Sequence, residues 1–439
     1  MSKRASVKSR FSRGTPKTKL HLAGFTALVC AAFNVAKAQQ VIIAPRPVPI
    51  EPAPVEQSSD TNEVSTANSG GPSMAGSGIQ YRNPFQYGPF NLHPRIGYGF
   101  TYGSGLQSRR GQSTDSAINT ISPSIGIDVG KHWTVSYTAA AAFYSDKAFK
   151  DNVDHNISVR GQTTYEDWAF NLSQGIALTS DPLTETAQQT DEQSYSTELG
   201  ASYQINAELS AEISAGQNIH SSQGVANSVG SSTDWTLSGN LNYQLGPHLS
   251  TGFGTGFGYN KVGVGPDTTY EDLNLRMSYQ LVRKLSLSVN GGAQFRQFLG
   301  SGQSTLISPT FGASANYHAF DYTTISLSAT RGVNDSFFSN QVTESTSVSL
   351  SLSQRLLAHF YLTVNGGYDL STYKDSAPGG TVGIHGREDT RTFFGVTLST
   401  SFLKHGSASV SYNRSDNSSN SAGFGYNSDQ IGVSLSFGY

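Results

Sequence analysis

The amino-acid sequence predicts an all-β fold, a transmembrane antiparallel up-and-down β-barrel of about 18 strands, with 16 as the alternative, preceded by a signal peptide and a linker. Three observations carry this. Long runs alternate apolar and polar residues, tight turns recur between them, and aromatic residues gather near both ends of the runs. Thr269 to Phe298 is the clearest unit: apolar residues occupy 273, 275, 277, 279 and 281, then 285, 287, 289, 293 and 295, with Val282-Arg283-Lys284 between. That is a hairpin with one apolar face.

For that face to stay apolar across the hairpin, an odd number of residues must separate the partners flanking the turn. Leu281 and Leu285 flank three, as do Val129 and Trp133, Tyr203 and Ala207, Leu245 and Leu249, Tyr317 and Asp321, Leu356 and Phe360, and Phe402 and Gly406. An eighth turn, Tyr165-Glu166-Asp167-Trp168, breaks the rule, so a bulge or a register slip is expected there. Looser polar connections separate the tight turns, giving a repeated hairpin at roughly 35 to 46 residues.

Composition agrees with a single large β body. The 439 residues include 46 Gly, 21 Tyr and 23 Phe; 14% are charged and 36% hydrophobic, a low apolar share that strands with one polar face would produce. Strands of a soluble sandwich run about 5 to 6 residues, whereas these run about 11 to 13, enough for a tilted crossing of a bilayer.

Residues 1 to 38 hold eight basic residues and no acid, an apolar run from Leu20 to Phe33, and Ala36-Lys37-Ala38 before Gln39. This is the pattern of a cleaved signal peptide. The one cysteine, Cys30, would leave with it, and a mature chain without cysteine suits an oxidising periplasm. Without the eight basic residues, 21 Lys and Arg face 31 acids, so the mature chain is acidic, near −10, and nucleic acid is not an expected partner. Residues 39 to 92 are rich first in Pro, then in Ser, Gly and Asn, as a flexible periplasmic segment would be. The barrel is assigned to 93 to 439.

Within it, strands are expected near 94–104, 116–129, 132–144, 154–165, 168–179, 194–205, 207–219, 233–245, 249–260, 269–281, 285–297, 304–317, 322–332, 341–355, 360–373, 389–402, 406–415 and 427–439. An even count puts both termini on the tight-turn side, the periplasm. Trp133, Trp168, Tyr203, Tyr243, Tyr279, Tyr317, Phe360, Tyr361 and Phe402 would form one interfacial girdle, and Tyr102, Phe143, Tyr259, Tyr270, Phe298, Phe337, Phe338 and Tyr373 the other. The last strand keeps Ile431, Val433, Leu435, Phe437 and Tyr439 on one face. It resembles the C-terminal assembly signal of bacterial outer-membrane barrels, most of which end in Phe rather than Tyr.

Gly88-Pro89-Phe90-Asn91-Leu92-His93-Pro94, Ser122-Pro123-Ser124-Ile125-Gly126 with Trp133-Thr134-Val135-Ser136-Tyr137, Val153-Asp154-His155-Asn156, and the repeated Tyr-Gln-Leu or Tyr-Gln-Ile before turns are similar to the β-barrel porin 2 group of outer-membrane proteins. The resemblance covers about residues 85 to 439. It implies a bacterial outer-membrane barrel whose partners are lipid, lipopolysaccharide and the barrel-assembly machinery, and exopolysaccharide export for some relatives.

No catalytic constellation is present: there is no nucleophile elbow, Walker loop or paired-cysteine site, and no cofactor is expected. His132, His248, His318, His359 and His405 fall in tight turns, spread round a rim where they cannot converge on one metal. Asp128, Arg160, Glu198, Glu208, Glu212, Arg276, Arg296 and Asp369 fall opposite the apolar parity and are expected to line an aqueous lumen with many Ser, Thr, Asn and Gln. The function expected is passive diffusion of small hydrophilic solutes; the alternative is an accessory barrel of exopolysaccharide export or surface assembly without an open pore. Acids such as Asp181, Glu185, Asp191 and Glu192 are expected in outer loops, where they would raise local cation concentration.

Overall fold

Alternating side chains commit each long run to one wet and one apolar face, and only a sheet closed on itself gives every strand two partners. The structure, a computed structural model, describes residues 85–223, 230–357, 359–378 and 385–439. The proposed signal peptide with Cys30, and most of the Pro-rich segment, lie outside the described residues. A two-residue strand, β1 (Gln86–Tyr87), precedes eighteen long ones: β2 (Phe90–Arg109), β3 (Gln112–Val129), β4 (Trp133–Tyr144), β5 (Asn152–Tyr165), β6 (Trp168–Leu183), β7 (Gln188–Gln204), β8 (Leu209–Gln223), β9 (Ser231–Gly246), β10 (Leu249–Val262), β11 (Thr268–Val282), β12 (Leu285–Phe298), β13 (Leu306–Phe320), β14 (Thr323–Asp335), β15 (Gln341–Leu356), β16 (Phe360–Asp375), β17 (Glu388–Phe402), β18 (Gly406–Ser419) and β19 (Tyr426–Gly438). Each of the eighteen pairs antiparallel with the next, and β19 pairs with β2, which closes the barrel. The count of 18 is the one expected, and 16 is excluded. Gln86–Tyr87 turns back onto β2 through Gly88 (φ 59°), so the end of the stretch read as linker is structured.

The outer face is apolar and open. Ile96, Tyr98, Phe100 and Tyr102 of β2, Leu273, Leu275 and Met277 of β11, and Ile431, Val433, Leu435 and Phe437 of β19 all project there, each more than a third exposed. A belt of this extent is incompatible with water and suits hydrocarbon, in which a closed sheet also leaves no backbone group unsatisfied.

The turns follow the expected arithmetic with one correction. Val129 lies opposite Trp133, Leu356 opposite Phe360 and Phe402 opposite Gly406, as expected. The β11–β12 ladder holds the expected register to Gln280 opposite Ser286, then shifts at Val282. Tyr203 faces Ala211 and Tyr317 faces Ile325, so those two ladders are displaced by whole two-residue steps that preserve the face. At the eighth turn Tyr165 faces Trp168 with no bulge or slip. Instead the apolar set moves from odd positions in β5 to Trp168, Phe170 and Leu172 in β6, and returns to odd positions in β7. The odd-number condition holds only where both arms share a parity, and the two-residue turn with Glu166 at φ 52° marks where they do not.

Candidate functional site

The inner wall is built from the positions opposite the lipid-facing ones. Asp128, Arg160, Glu198, Glu212, Arg276, Arg296 and Asp369 all stand on it, and they fall into separate groups. Asp128 sits near the tight-turn end, 3.0 Å from the His93 imidazole and accepting from Thr134 Oγ1 at 2.9 Å. Arg160 stands opposite Thr134 and Ser173 at the same end, and Glu198 is opposite Ser173. Glu212 pairs with Arg276 at 2.9 Å and accepts from Asn242 at 2.8 Å. Glu208 departs from the expectation: it lies in the β7–β8 turn, and its carboxylate accepts from the hydroxyl of Tyr243, a member of the outer row. A residue beside a tight turn has left the strand's alternation, so parity no longer assigns its side.

Glycine shapes one flank of this wall. The inward positions of β10 are Gly252, Gly254, Gly256 and Gly258, over which side chains of the adjoining strands lie. At Gly258 an added Cβ would stand 2.1 Å from Tyr270 Cζ, so no larger residue fits beneath that ring. Tyr270, thus inside rather than in a girdle, donates to Asp234 and stacks under the Arg296 guanidinium at 4.7 Å.

The long-loop end is where the lumen narrows. Two hairpins, β6–β7 and β14–β15, bend inward and meet. Glu185, between β6 and β7, accepts at Oε1 from Ser336 Oγ (2.6 Å) and from the Phe337 amide (2.8 Å), between β14 and β15. Its main-chain carbonyl accepts from Arg387 Nη1 at 2.8 Å, just before β17. β17 is seven strands from β6 by the shorter way round the barrel, so these contacts run through the interior. Ala187 and Asn340 hold left-handed backbone at the two tips (φ 55° and 61°), and the Ala187 conformation is fixed by packing between Phe338 and Phe424. Phe424 is fully buried between two guanidiniums, Arg387 at 3.5 Å and Arg110 at 4.0 Å.

This cluster corrects two expectations. Phe298, Phe337, Phe338 and Tyr373 are buried inside the mouth with Tyr270, and the outer ring at that end is instead made by Tyr102, Phe143, Tyr259 and Trp235, the last stacked on Tyr259. Of the acids expected in outer loops, Asp181, Glu185 and Glu192 are folded in, Glu192 3.1 Å from the His220 imidazole, while Asp191 stays exposed on β7 and accepts from Ser180 at 2.6 Å. Burial raises the Glu185 carboxyl above its ordinary value, against the smaller opposing pull of the Ser336 and Phe337 hydrogen bonds.

Beneath the tips, along the wall of β14 to β18, a pocket opens that brings Asp369 to the cluster. Three ion pairs stand around it. Arg391 Nε donates to Asp369 at 3.1 Å, Arg296 Nη1 to Asp335 at 2.7 Å, and Arg387 to Asp389. Arg387, Arg391 and Ser336 were not singled out from the sequence, and Glu185, Phe337 and Phe338 were expected in other roles. The aromatic pair Phe337-Phe338 and Phe424 between two glycines, apolar residues inside otherwise polar loops, were the signal available.

Closed antiparallel strands, an apolar outer belt, a polar interior and loops folded into one mouth define a transmembrane β-barrel of the porin type. No protein-family model matches the chain, and no curated protein matches it. Among solved structures it is similar to Pseudomonas aeruginosa OpdO (13% identity, TM-score 0.43, covering 79% of this chain and 97% of that one), to Acinetobacter baumannii OccAB4 (12%, 0.44, 81% and 100%), and to Pseudomonas aeruginosa OccK2 (OpdF) (10%, 0.44, 79% and 98%).

Among the described residues no group of three or more His, Cys, Asp or Glu side chains could hold a metal ion.

Proposed function

We propose that the protein is a porin-like channel of the bacterial outer membrane for passive diffusion of small hydrophilic solutes, and not an enzyme. The observation that carries the reading is the polar inner wall of a closed 18-strand barrel, since a sheet of this circumference normally encloses water. On this reading Asp128, Arg160, Glu198, Glu212, Arg276, Arg296 and Asp369 line the solute's path, and the mouth cluster around Glu185 and Arg387 sets its narrowest part. The chain is exported by residues 1 to 38, keeps the segment from residue 39 up to the start of β2 at Phe90 in the periplasm, and meets lipid and lipopolysaccharide on its outer belt. Membership of the β-barrel porin 2 group fits the same motifs. Ile431, Val433, Leu435, Phe437 and Tyr439 act as the signal read by the barrel-assembly machinery, supported by their place on the closing strand.

A second reading, an accessory barrel of exopolysaccharide export or surface assembly, draws on the meeting of the two hairpins across the mouth. Swelling of proteoliposomes in isotonic solutes of graded size separates the two. A channel gives swelling rates that fall with solute size; an accessory barrel gives the protein-free rate for every solute.

A further inference from the structure

The pocket beneath the hairpin tips contains more polar capacity than the fold uses. Among the described residues, three buried side-chain atoms on its wall lack a hydrogen-bond partner: Thr343 Oγ1, Asn417 Oδ1 and Arg391 Nη1. Thr343 and Asn417 are 6% and 3% exposed, so bulk water does not satisfy these atoms freely. Arg391 and Asn417 are direct cross-strand neighbours in β17 and β18, which puts an idle donor beside an idle acceptor. Burying a polar atom without a partner is costly, so such a set marks a place for something to bind.

Charge and chemistry select what binds. Each guanidinium here already faces a carboxylate, Arg391 with Asp369, Arg387 with Asp389 and Arg296 with Asp335. The fourth acid of the wall, Glu185, is taken up by Ser336 Oγ and the Phe337 amide, so no guanidinium is left unpaired to draw in an anion, and a cation would meet Arg391 and Arg387 beside their carboxylates. The remaining groups are hydroxyls and amides, each both weakly donating and accepting, with the Tyr373 and Phe337 rings at the upper end. An aliphatic hydroxyl is the ligand group that accepts from Arg391 and donates to Asn417 at once.

The pocket also opens onto a track. The inward positions of β15 read Thr343, Ser345, Ser347, Ser349, Ser351 and Ser353, an unbroken row of hydroxyls from the mouth toward the tight-turn end, of which the first three line the pocket. A solute that exchanges one hydroxyl partner for the next along such a row is never stripped of hydrogen bonds while it moves.

We propose that this pocket, with about 60 Å³ of internal space, is a binding subsite that takes a hydroxyl-bearing end of a neutral polyhydroxylated solute of sugar type, held by Arg391, Asn417 and Thr343 while the rest of the solute lies in the lumen, and passed along the β15 hydroxyl row. The proposal deepens the channel reading and rests on it for the passage, though not for the binding.

The test uses the full mature chain and two independent readouts. In planar bilayers, D-glucose titrated into the bath should reduce the ion current in a saturable way, whereas gluconate, the same carbon chain with a carboxylate, should do so far more weakly. In detergent, saturation-transfer NMR should show glucose bound with gluconate unable to displace it. Thr343→Val, nearly isosteric, and Thr343→Val with Asn417→Leu should raise the half-blocking glucose concentration by roughly tenfold in the double variant, with heat-modifiable migration confirming that both are folded. Ion steps without glucose block or binding overturn the subsite and leave the channel standing. Binding without ion steps keeps the subsite and removes the channel. Equal response to gluconate overturns the neutral class, and full block in a folded double variant overturns the location.

Discussion

Arg387 is the residue on which the mouth turns. Its side chain has no exposed surface, donates to Asp389 from Nε at 2.9 and 3.0 Å, to the Glu185 carbonyl at 2.8 Å and to the Thr184 carbonyl at 3.5 Å, and lies over Phe424 and Tyr373. Arg387→Ala removes the guanidinium paired with Asp389, itself 4% exposed, and frees the tip of the β6–β7 hairpin. Breaking a buried pair by deleting one partner costs about 3 to 5 kcal/mol. The barrel ladders do not depend on this contact, so the loss should appear as local opening of the tips. Taking the lower figure, the closed-to-open ratio falls about a hundredfold at ~1.4 kcal/mol per decade. Hydrogen exchange read by mass spectrometry should therefore speed up by about that factor in peptides covering Leu183–Gln188 and Phe337, while β11 and β12 stay protected. Arg387→Lys should fall between, since it keeps the charge and loses the fork. Unchanged exchange at both tips in a folded Arg387→Ala barrel would refute the role given to this residue.

Other expectations follow from the same structure. Because burial raises the Glu185 carboxyl, its stabilising contribution is complete below the ordinary glutamate value of about 4.3 and is lost as pH climbs through the raised folded value. Tip exchange, corrected for its intrinsic pH dependence, should thus rise with pH in the wild type and lose that rise in Glu185→Gln; the opposite slope would reject the assignment. Deleting Ile431 to Tyr439 removes the strand that pairs with both β18 and β2, and should abolish heat-modifiable protein in outer-membrane fractions, while Phe437→Asp with Tyr439→Asp should reduce it strongly; normal levels of folded truncated chain would contradict this. Reversal potentials should show at most a weak cation preference that fades with salt, since Asp181 and Glu192 near the mouth are folded in and lumen charges such as Glu212 with Arg276 and Arg296 with Asp335 are paired; clear anion preference would reject it.

The strand count and the outer face were legible because a strand writes its two environments into alternate residues over a dozen positions, as in Thr269 to Leu281. The mouth was not, because alternation says which residues share a face and nothing about where a hairpin bends. Val333, Asp335, Val342 and Glu344 share the parity of lipid-facing residues such as Leu327 and Leu350, so alternation alone would set them outward, and the strand expected over 322–332 stops short of the first two. Where β14 parts from β13 beyond Arg331, that face swings over the inner surface of β12 and β13: Val333 and Val342 pack on Phe298 and Leu306, Asp335 meets Arg296, and Glu344 accepts from Ser308. Bending is set by long-range partners such as Glu185 and Phe424, which no local pattern encodes. Glu208 was missed for the reverse reason, being one residue short of the strand whose parity it seemed to follow.

Single-channel conductance in planar bilayers, recorded for the wild type and for a chain lacking Thr184 to Ala187, tests the central claim most directly. The channel reading predicts discrete ion steps in the wild type and larger ones once the tip that crosses the mouth is gone. A folded barrel that gives no steps in either form would contradict it.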